Sequence, residues 1–303
     1  MRVLIAGCGY VGLALGERLV AAGHSVAGIR RPGSDPAPLR RRGIDPFHAN
    51  LATGAGLNAI PLPWDWVVAC AAPSDGTEAA YREVYVEGCR NLLAWLRPSP
   101  PRALVFTGST GVYPQNDGSE VDETASTEGG TPTGRVLREA EDLLLRAASE
   151  GFPAVVLRIA GIYGPGRNRI ESVRRGEWRG PASPARWMNM VHRDDLVEAI
   201  VAALDRGRAG RIYNVSDGAP CTEREFREWL SGRLGIPLRE EEAPTRPPTK
   251  DLSLSRSRTR TGSNKRVIAA RIRQELGWSP GYADFRAGYE AEILASAKPG
   301  PLL

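Results

Sequence analysis

Val3-Leu-Ile-Ala-Gly7-Cys-Gly9-Tyr-Val-Gly12 is an apolar strand that runs without a spacer into three glycines. The G-x-G-x-x-G spacing, with a strand before it and an amphipathic helix after it, predicts a βα turn that holds a dinucleotide pyrophosphate. Gly7 allows the tight turn, Gly9 the close approach of backbone to phosphate, and Gly12 the packing of helix on strand. The helix expected over Val11 to Ala22 points its unsatisfied N–H groups and positive dipole end at the anion. It ends at Ala22-Gly23, where a glycine cap is expected. Gly7, Gly9, Tyr10, Val11 and Gly12 are therefore the first candidates for cofactor contacts.

The second strand, Ser25 to Ile29, is followed by Arg30 and Arg31. An NAD-specific site places a carboxylate about twenty residues past the glycines to bind the ribose 2′-hydroxyl. Here two guanidiniums stand instead. They suit a 2′-phosphate through charge-assisted bonds of roughly 1.5–3 kcal/mol each. The reading is NADP(H) in preference to NAD(H), with solvated strand-end charges as the alternative. Asn50, after a short third strand at Asp45 to His48, is placed for the adenine edge, although an asparagine in a turn needs no such role.

With 303 residues the chain can form one large α/β domain and a smaller lobe. Its four cysteines, Cys8, Cys70, Cys89 and Cys221, show no metal spacing, and its three histidines are far apart. Reduced thiols, a cytoplasmic location and no bound metal are expected. There is no leader-like segment and no run of eighteen apolar residues, so neither secretion nor a membrane span is expected. The net charge of +5 is uneven. Eight basic residues and one acid lie between Lys250 and Arg273. That stretch lacks interleaved aromatics and reads as a loop leading into a helix, not as a nucleic-acid surface. A homodimer stays open.

Strand and helix signals alternate through the first two thirds. Trp66 to Ala71 reads as a buried strand that brings Ala71 to the cofactor cleft, and Glu78 to Leu96 as a long helix. Ala103 to Thr107, Ala154 to Ile159 and Ile212 to Val215 read as strands. Gly134 to Ser149 and Asp194 to Leu204 read as helices. This order predicts an α/β, Rossmann-type doubly wound parallel sheet with a smaller C-terminal substrate lobe. Residues 1–160 with 188–216 form the dinucleotide-binding domain, and 161–187 with 217–303 the lobe over the carboxyl ends of the strands. Pro244 to Thr261 is the stretch expected to be disordered.

Several segments resemble the extended short-chain dehydrogenase/reductases, the NAD(P)-dependent epimerase/dehydratase family. They are GCGYVG, then F-T-G-S-T-G-V-Y-P (Phe106 to Pro114), V-V-L-R-I-A-G-I-Y-G-P-G (Val155 to Gly166), M-V-H-R-D-D-L-V (Met190 to Val197) and G-R-I-Y-N-V (Gly210 to Val215). The resemblance implies the fold, the cofactor class and a small-molecule substrate of the sugar or nucleotide-sugar kind. It places Ser109 at the family's catalytic Ser/Thr, and Arg158 and His192 at positions lining or bracing the lobe junction, where Arg158 joins the cofactor candidates. His192 reads more simply as a structural histidine beside the Asp194/Asp195 turn.

The family's Tyr-x-x-x-Lys dyad is missing. With Ala140-Glu141 as anchor, Thr133 stands where the tyrosine belongs and Leu137 where the lysine belongs. No register restores the pair: no tyrosine lies between Tyr113 and Tyr163, and the first lysine of the chain is Lys250. Tyr85 replaces the family's asparagine in the preceding helix. The pattern resembles the atypical subgroup that keeps the dinucleotide site without the dyad. Ser109 is the catalytic candidate through its hydroxyl; its alternative is a serine that satisfies a strand-end backbone group. Tyr85 is a donor candidate or a packed aromatic, Thr133 a poor acid in the tyrosine's place. Arg135 or Arg138 could supply the lysine's ribose contact, although solvated helix charges are the simpler reading of both. Asn168, Arg169 and Trp187 lie where a polar or phosphorylated substrate would be met. Two functions follow: an NADP(H)-dependent epimerase/dehydratase-like oxidoreductase, or a catalytically weak NADP(H) sensor.

Overall fold

The structure is a computed structural model that describes residues 1–176, 186–237 and 263–297. In chain order the strands are β1 (Arg2–Ala6), β2 (Ser25–Arg30), β3 (Asp45–His48), β4 (Trp66–Ala69), β5 (Ala103–Ser109) and β6 (Glu120–Val121). They continue as β7 (Ala154–Ile159), β8 (Gly161–Tyr163), β9 (Trp187–Met188), β10 (Met190–His192), β11 (Ile212–Val215), β12 (Cys221–Thr222) and β13 (Arg266–Val267). Seven form one parallel sheet in the order β3-β2-β1-β4-β5-β7-β11. The strand order reverses between β1 and β4. In an open sheet of this kind the crevice outside that switch point is where a ligand binds.

Helices cover both faces, which is why the strands read as near-continuous apolar runs. The helices are α1 (Tyr10–Ala21), α2 (Ala37–Arg40), α3 (Glu78–Tyr81), α4 (Gly88–Leu96), α5 (Pro132–Ser149), α6 (Ile170–Arg174), α7 (Arg193–Arg206), α8 (Glu223–Leu234), α9 (Ala270–Leu276) and α10 (Phe285–Ala297). Val3 and Ile5 face one core with Leu15 of α1, Ile200 of α7 and Ile272 of α9. Leu4 and Ala6 face the other with Leu92 of α4 and Leu144 of α5. This alternation follows from the two-residue period of a strand.

Several boundaries differ from the sequence reading. Thr131 caps α5 by accepting from the Gly134 amide, and Pro132 takes the first helical position, so α5 starts two residues earlier than expected. The long helix expected over Glu78 to Leu96 is interrupted by a π-helical stretch at Arg82–Glu87. The strand at Trp66 closes at Ala69, two residues early, and leaves Cys70 and Ala71 to enter the crevice. A third apolar cluster, separate from the two cores of the sheet, joins Ile170, Met190, Phe226, Leu230, Phe285 and Tyr289, so Met190 packs with residues of the range expected to form the lobe. Within the range that the sequence assigns to that lobe, Ala269, Ile272, Leu276 and Trp278 instead join the core of the sheet. Pro244 to Thr261 lies outside the described residues.

A buried ion pair locks α5 to the sheet. Arg158, 1% exposed, donates from Nε and Nη2 to Glu141 at 3.0 and 2.8 Å and from Nη1 to the Tyr113 hydroxyl at 2.9 Å. Tyr113 in turn donates to Asn214 Oδ1 at 2.8 Å. Burial alone would lower the Arg158 pKa; Glu141 reverses that and holds the guanidinium above its usual value. Arg158→Met strands the Glu141 carboxylate in the core and should cost about 3–5 kcal/mol in urea unfolding. The double variant with Glu141→Gln should lose less than the sum of the two single changes.

The lobe holds a strained acid. Asp217 is buried, its Oδ1 accepts from the Ala219 amide, and its Oδ2 has no partner; the buried Tyr163 hydroxyl has none either. Burial pushes the Asp217 carboxyl up to about 7, against 3.8 for an ordinary Asp. The folded state then binds a proton that the unfolded state has lost, so this group's contribution falls as pH rises from about 4 to 7. Asp217→Asn should raise the melting temperature relative to the parent at pH 8, with the gain shrinking toward zero near pH 4.

Candidate functional site

The glycine turn is shaped by its neighbour across the switch point. Gly7 has φ +94°, and a methyl group there would overlap the backbone nitrogen of Ala71. The amides of Gly7 and Cys8 both donate to the Ile29 carbonyl at 3.1 and 2.9 Å, which ties the turn to the end of β2. Gly12 is also hemmed in: a Cβ would lie 3.0 Å from Ile5 and 3.2 Å from the Gly7 carbonyl oxygen. Gly9 differs. Its nearest atom to an added Cβ is the Gly7 oxygen at 4.0 Å, so the space beside it is open. Above that space lies the first turn of α1, begun by Tyr10 and Val11 with no side-chain cap. A diphosphate fits this cradle: room at Gly9, orphan first-turn amides and the positive end of a twelve-residue helix. Burial pushes the two cysteines beside the turn up, Cys8 to about 12 and Cys70 to about 11, so both stay neutral thiols.

Toward the adenosine end, β2 extends one residue beyond expectation and finishes on Arg30. Arg30 donates from Nη1 to the Asp35 carbonyl at 3.1 Å, and Arg31 is exposed beside it. Asn50 uses its side-chain oxygen to accept from the Ala52 amide at 3.0 Å and so closes its own turn. The next residue, Leu51, lines a small apolar recess with Ala6, Ala69, Ala71, Tyr85 and Phe106.

Toward the expected nicotinamide end, α5 meets the turn that follows β5. Ser109 Oγ accepts from the Gly111 amide at 3.0 Å and caps the single turn Thr110–Val112. Its lone pair is used while its O–H remains a donor. A Cβ on Gly134, beside Thr133, would lie 2.9 Å from the Gly111 carbonyl, so the first turn of α5 touches the Ser109 turn. Thr133 therefore stands at the right corner, 3.3 Å from the Thr131 hydroxyl. Leu137 is buried, with its Cδ1 3.6 Å from where a Gly111 Cβ would be. An apolar side chain fills the place expected for the ammonium.

One expectation is corrected here, and two open alternatives are narrowed. Arg158 cannot reach a cofactor, because it is buried and its guanidinium is taken by Glu141 and Tyr113. Arg135 donates to the Gly130 carbonyl and Arg138 pairs with Asp142 at 2.8 Å, so neither stands in for the lysine. Tyr85 packs edge-on against Phe106 at 5.9 Å and Tyr81 at 5.4 Å, and burial raises its phenol pKa with no cation among the causes to oppose it. It lies in the π-helical stretch, a distortion that favours functional sites, yet it is a weakened acid.

At the lobe junction His192 Nδ1 accepts from the Asp194 amide at 3.2 Å, which leaves the proton of the neutral ring on Nε2, facing Glu292 Oε1 at 3.3 Å. Asn168 donates to the Gly164 carbonyl and to Glu292, and Trp187 lies under Arg266. One residue escaped the sequence reading altogether. Lys265 is 3% exposed and donates to the Tyr113 carbonyl at 2.8 Å and to the Ser263 hydroxyl at 3.1 Å. Only its type could have drawn attention, in a chain that uses arginine for nearly every cation. Among the described residues no group of three His, Cys, Asp or Glu could hold a metal ion, and no helix is long and apolar enough to cross a membrane.

Residues 3–216 match the model of the NAD dependent epimerase/dehydratase family. The chain belongs to that family. Protein YeeZ of Escherichia coli K12 is 29% identical over 291 residues, 93% of this chain and 97% of that one. A 4-hydroxy-2-methyl-3-oxo-4-farnesyl-3,4-dihydroquinoline-1-oxide ketoreductase from Stigmatella aurantiaca is 27% identical over 78% of this chain and 74% of its own. The UDP-glucose 4-epimerase of Thermotoga maritima, solved with UDP-glucose, superposes with a TM-score of 0.77 over 97% of this chain and all of that one, at 19% identity, which is a likeness of fold. An epimerase/dehydratase of this kind is NAD(P)-dependent, which the cradle at Gly9 accommodates.

Two substitutions separate folding from binding at the cradle. Gly7→Ala should lower the melting temperature and abolish dinucleotide binding, since it meets both a positive φ and the Ala71 backbone. Gly9→Ala should fold with an unchanged melting temperature, yet lose binding in a fluorescence titration, because its methyl group occupies the phosphate space.

Proposed function

We propose that the chain binds NADP(H) between the Gly7 turn and Ala71 and acts as an oxidoreductase on a carbonyl or hydroxyl substrate. The observation that carries this reading is the open face at Gly9 beneath the uncapped first turn of α1. The preference for NADP(H) rests on Arg30 and Arg31 at the end of β2, where an NAD site would offer a carboxylate. The cofactor, when bound, supplies or accepts the hydride. Ser109 keeps its oxygen on the Gly111 amide and directs its O–H at the substrate oxygen, which polarises the carbonyl. Leu137 and the buried wall around Phe106 exclude water from that corner. A sugar or nucleotide-sugar substrate is in keeping with the epimerase neighbour, and a small ketone with the ketoreductase relative.

A second reading draws on Leu137: with no ammonium in its place and a depleted set of acids, the chain would sense NADP(H) and turn over little. Losing a positioned general acid forfeits roughly 10²–10⁴-fold in rate. Both readings place the protein in the cytoplasm.

Calorimetry with NADPH and NADH tests the shared part. NADPH should bind more tightly, and Arg30→Ala with Arg31→Ala should erase the difference; tighter NADH binding by the parent chain would sink the arginine argument. A carbonyl panel separates the two readings. Turnover that falls at least tenfold in Ser109→Ala, with cofactor affinity intact, identifies the enzyme; saturating binding without turnover identifies the sensor.

A further inference from the structure

The Arg167 guanidinium lies 5.6 Å from the centre of the Tyr10 ring, and that of Arg193 lies 5.5 Å from it. Tyr10 opens α1, so both cations flank the start of the cofactor helix. They are not equivalent. Arg193 is tied to Asp194 at 2.7 Å. Arg167 is exposed and has neither a carboxylate nor a side-chain hydrogen bond among the described residues.

The turn that carries Arg167 is fixed from several sides. Gly164 and Arg167 exchange amide hydrogen bonds at 3.1 and 2.9 Å. Asn168 donates to the Gly164 carbonyl and to Glu292, and Glu292 faces the buried His192. Gly164 has φ +147°, and a Cβ there would lie 3.1 Å from the Tyr10 hydroxyl, so the turn is pressed onto that ring. The hydroxyl itself is buried without a partner. The negative groups nearby are already engaged: Asp194 holds Arg193, and Glu292 holds His192 and Asn168. A fixed turn thus holds an exposed guanidinium with no acidic partner among the described residues beside the first residue of the cofactor helix, a placement suited to an anion at the amides of that helix.

We infer that Arg167 is a pyrophosphate ligand of the dinucleotide, delivered by the turn that leads into the lobe and carried on the Tyr10 ring. This rests on the cofactor reading above. The ring holds the guanidinium face through a cation–π contact and leaves its N–H edge free for two phosphate oxygens. The same bond would couple cofactor occupancy to the 164–169 turn, and through Asn168 and Glu292 to α10.

Titration of the purified chain and its Arg167→Ala and Arg167→Glu variants with NADPH, NADH and 2′-AMP tests the inference. Arg167→Ala should weaken both dinucleotides by the same factor, roughly tenfold or more, and Arg167→Glu by a larger one. Neither change should alter binding of 2′-AMP, which has no pyrophosphate. Hydrogen exchange should show residues 163–176 protected by NADPH in the parent and not in Arg167→Ala. Unchanged dinucleotide affinity in both variants, while Arg30→Ala still weakens NADPH, overturns the inference and leaves the cofactor reading standing. Equal weakening of 2′-AMP overturns it too. A parent chain that binds neither dinucleotide overturns both.

Discussion

The guanidinium of Arg158, closed in by Glu141 on one side and Tyr113 on the other, is the constraint on which the working end of this molecule depends. It is a charge with about 1% of its surface exposed, so losing either partner would leave a buried charge unpaired. Glu141 belongs to α5, Arg158 to β7, Tyr113 follows the Ser109 turn, and Asn214 belongs to β11. One network therefore sets the distance between the helix that should carry the catalytic dyad and the strand end that carries Ser109. The apolar clusters on either side supply most of the burial, but they would tolerate small sliding that the ion pair does not.

Against that fixed frame the two halves of the crevice have diverged. At the glycine turn the packing itself demands glycine at two positions, through positive φ and a backbone contact at Gly7 and a tight helix crossing at Gly12, while Gly9 stands beside open space. At the other end the frame is intact while the side chains have changed. Leu137 packs where a cation is expected, and Thr133 offers an aliphatic hydroxyl in place of a phenol. A helix and a strand end can thus be held at a fixed spacing by one buried network while the side chains at their meeting point vary in chemistry.

The strands and the glycine turn were legible in the sequence because they are written in adjacent residues: continuous apolar runs and a glycine spacing. The missing dyad was legible for the same reason, since a tyrosine and a lysine four residues apart cannot hide. What could not be read depends on contacts distant in sequence. Arg158 looks like any strand-end cation until Glu141 and Tyr113 are seen to enclose it. The π-helical stretch at Arg82–Glu87 has no sequence signature of its own, because the apolar spacing there suits a regular helix equally well. Lys265 lay inside a basic stretch that reads as a loop leading into a helix, and its burial against the Tyr113 carbonyl depends on a contact 152 residues apart that no local pattern announces. The Tyr10–Arg167 contact is of the same kind, a candidate of the glycine turn and an arginine 157 residues away made neighbours by the turn at Gly164.

The strand β13 runs beside β6, and Asn264, Lys265 and Val267 are stitched to Gly118 and Tyr113 in the loop before β6 and to Asn189 between β9 and β10. Next to it α9 completes the same apolar layer as α1 and α7. During synthesis the segments that carry Tyr113, Gly118 and Asn189, and the side of the sheet formed by α7 and β11, would thus emerge before residues 264–278, which cover them. Until those residues follow, the groups they cover stay exposed, the condition in which a growing chain is prone to aggregate.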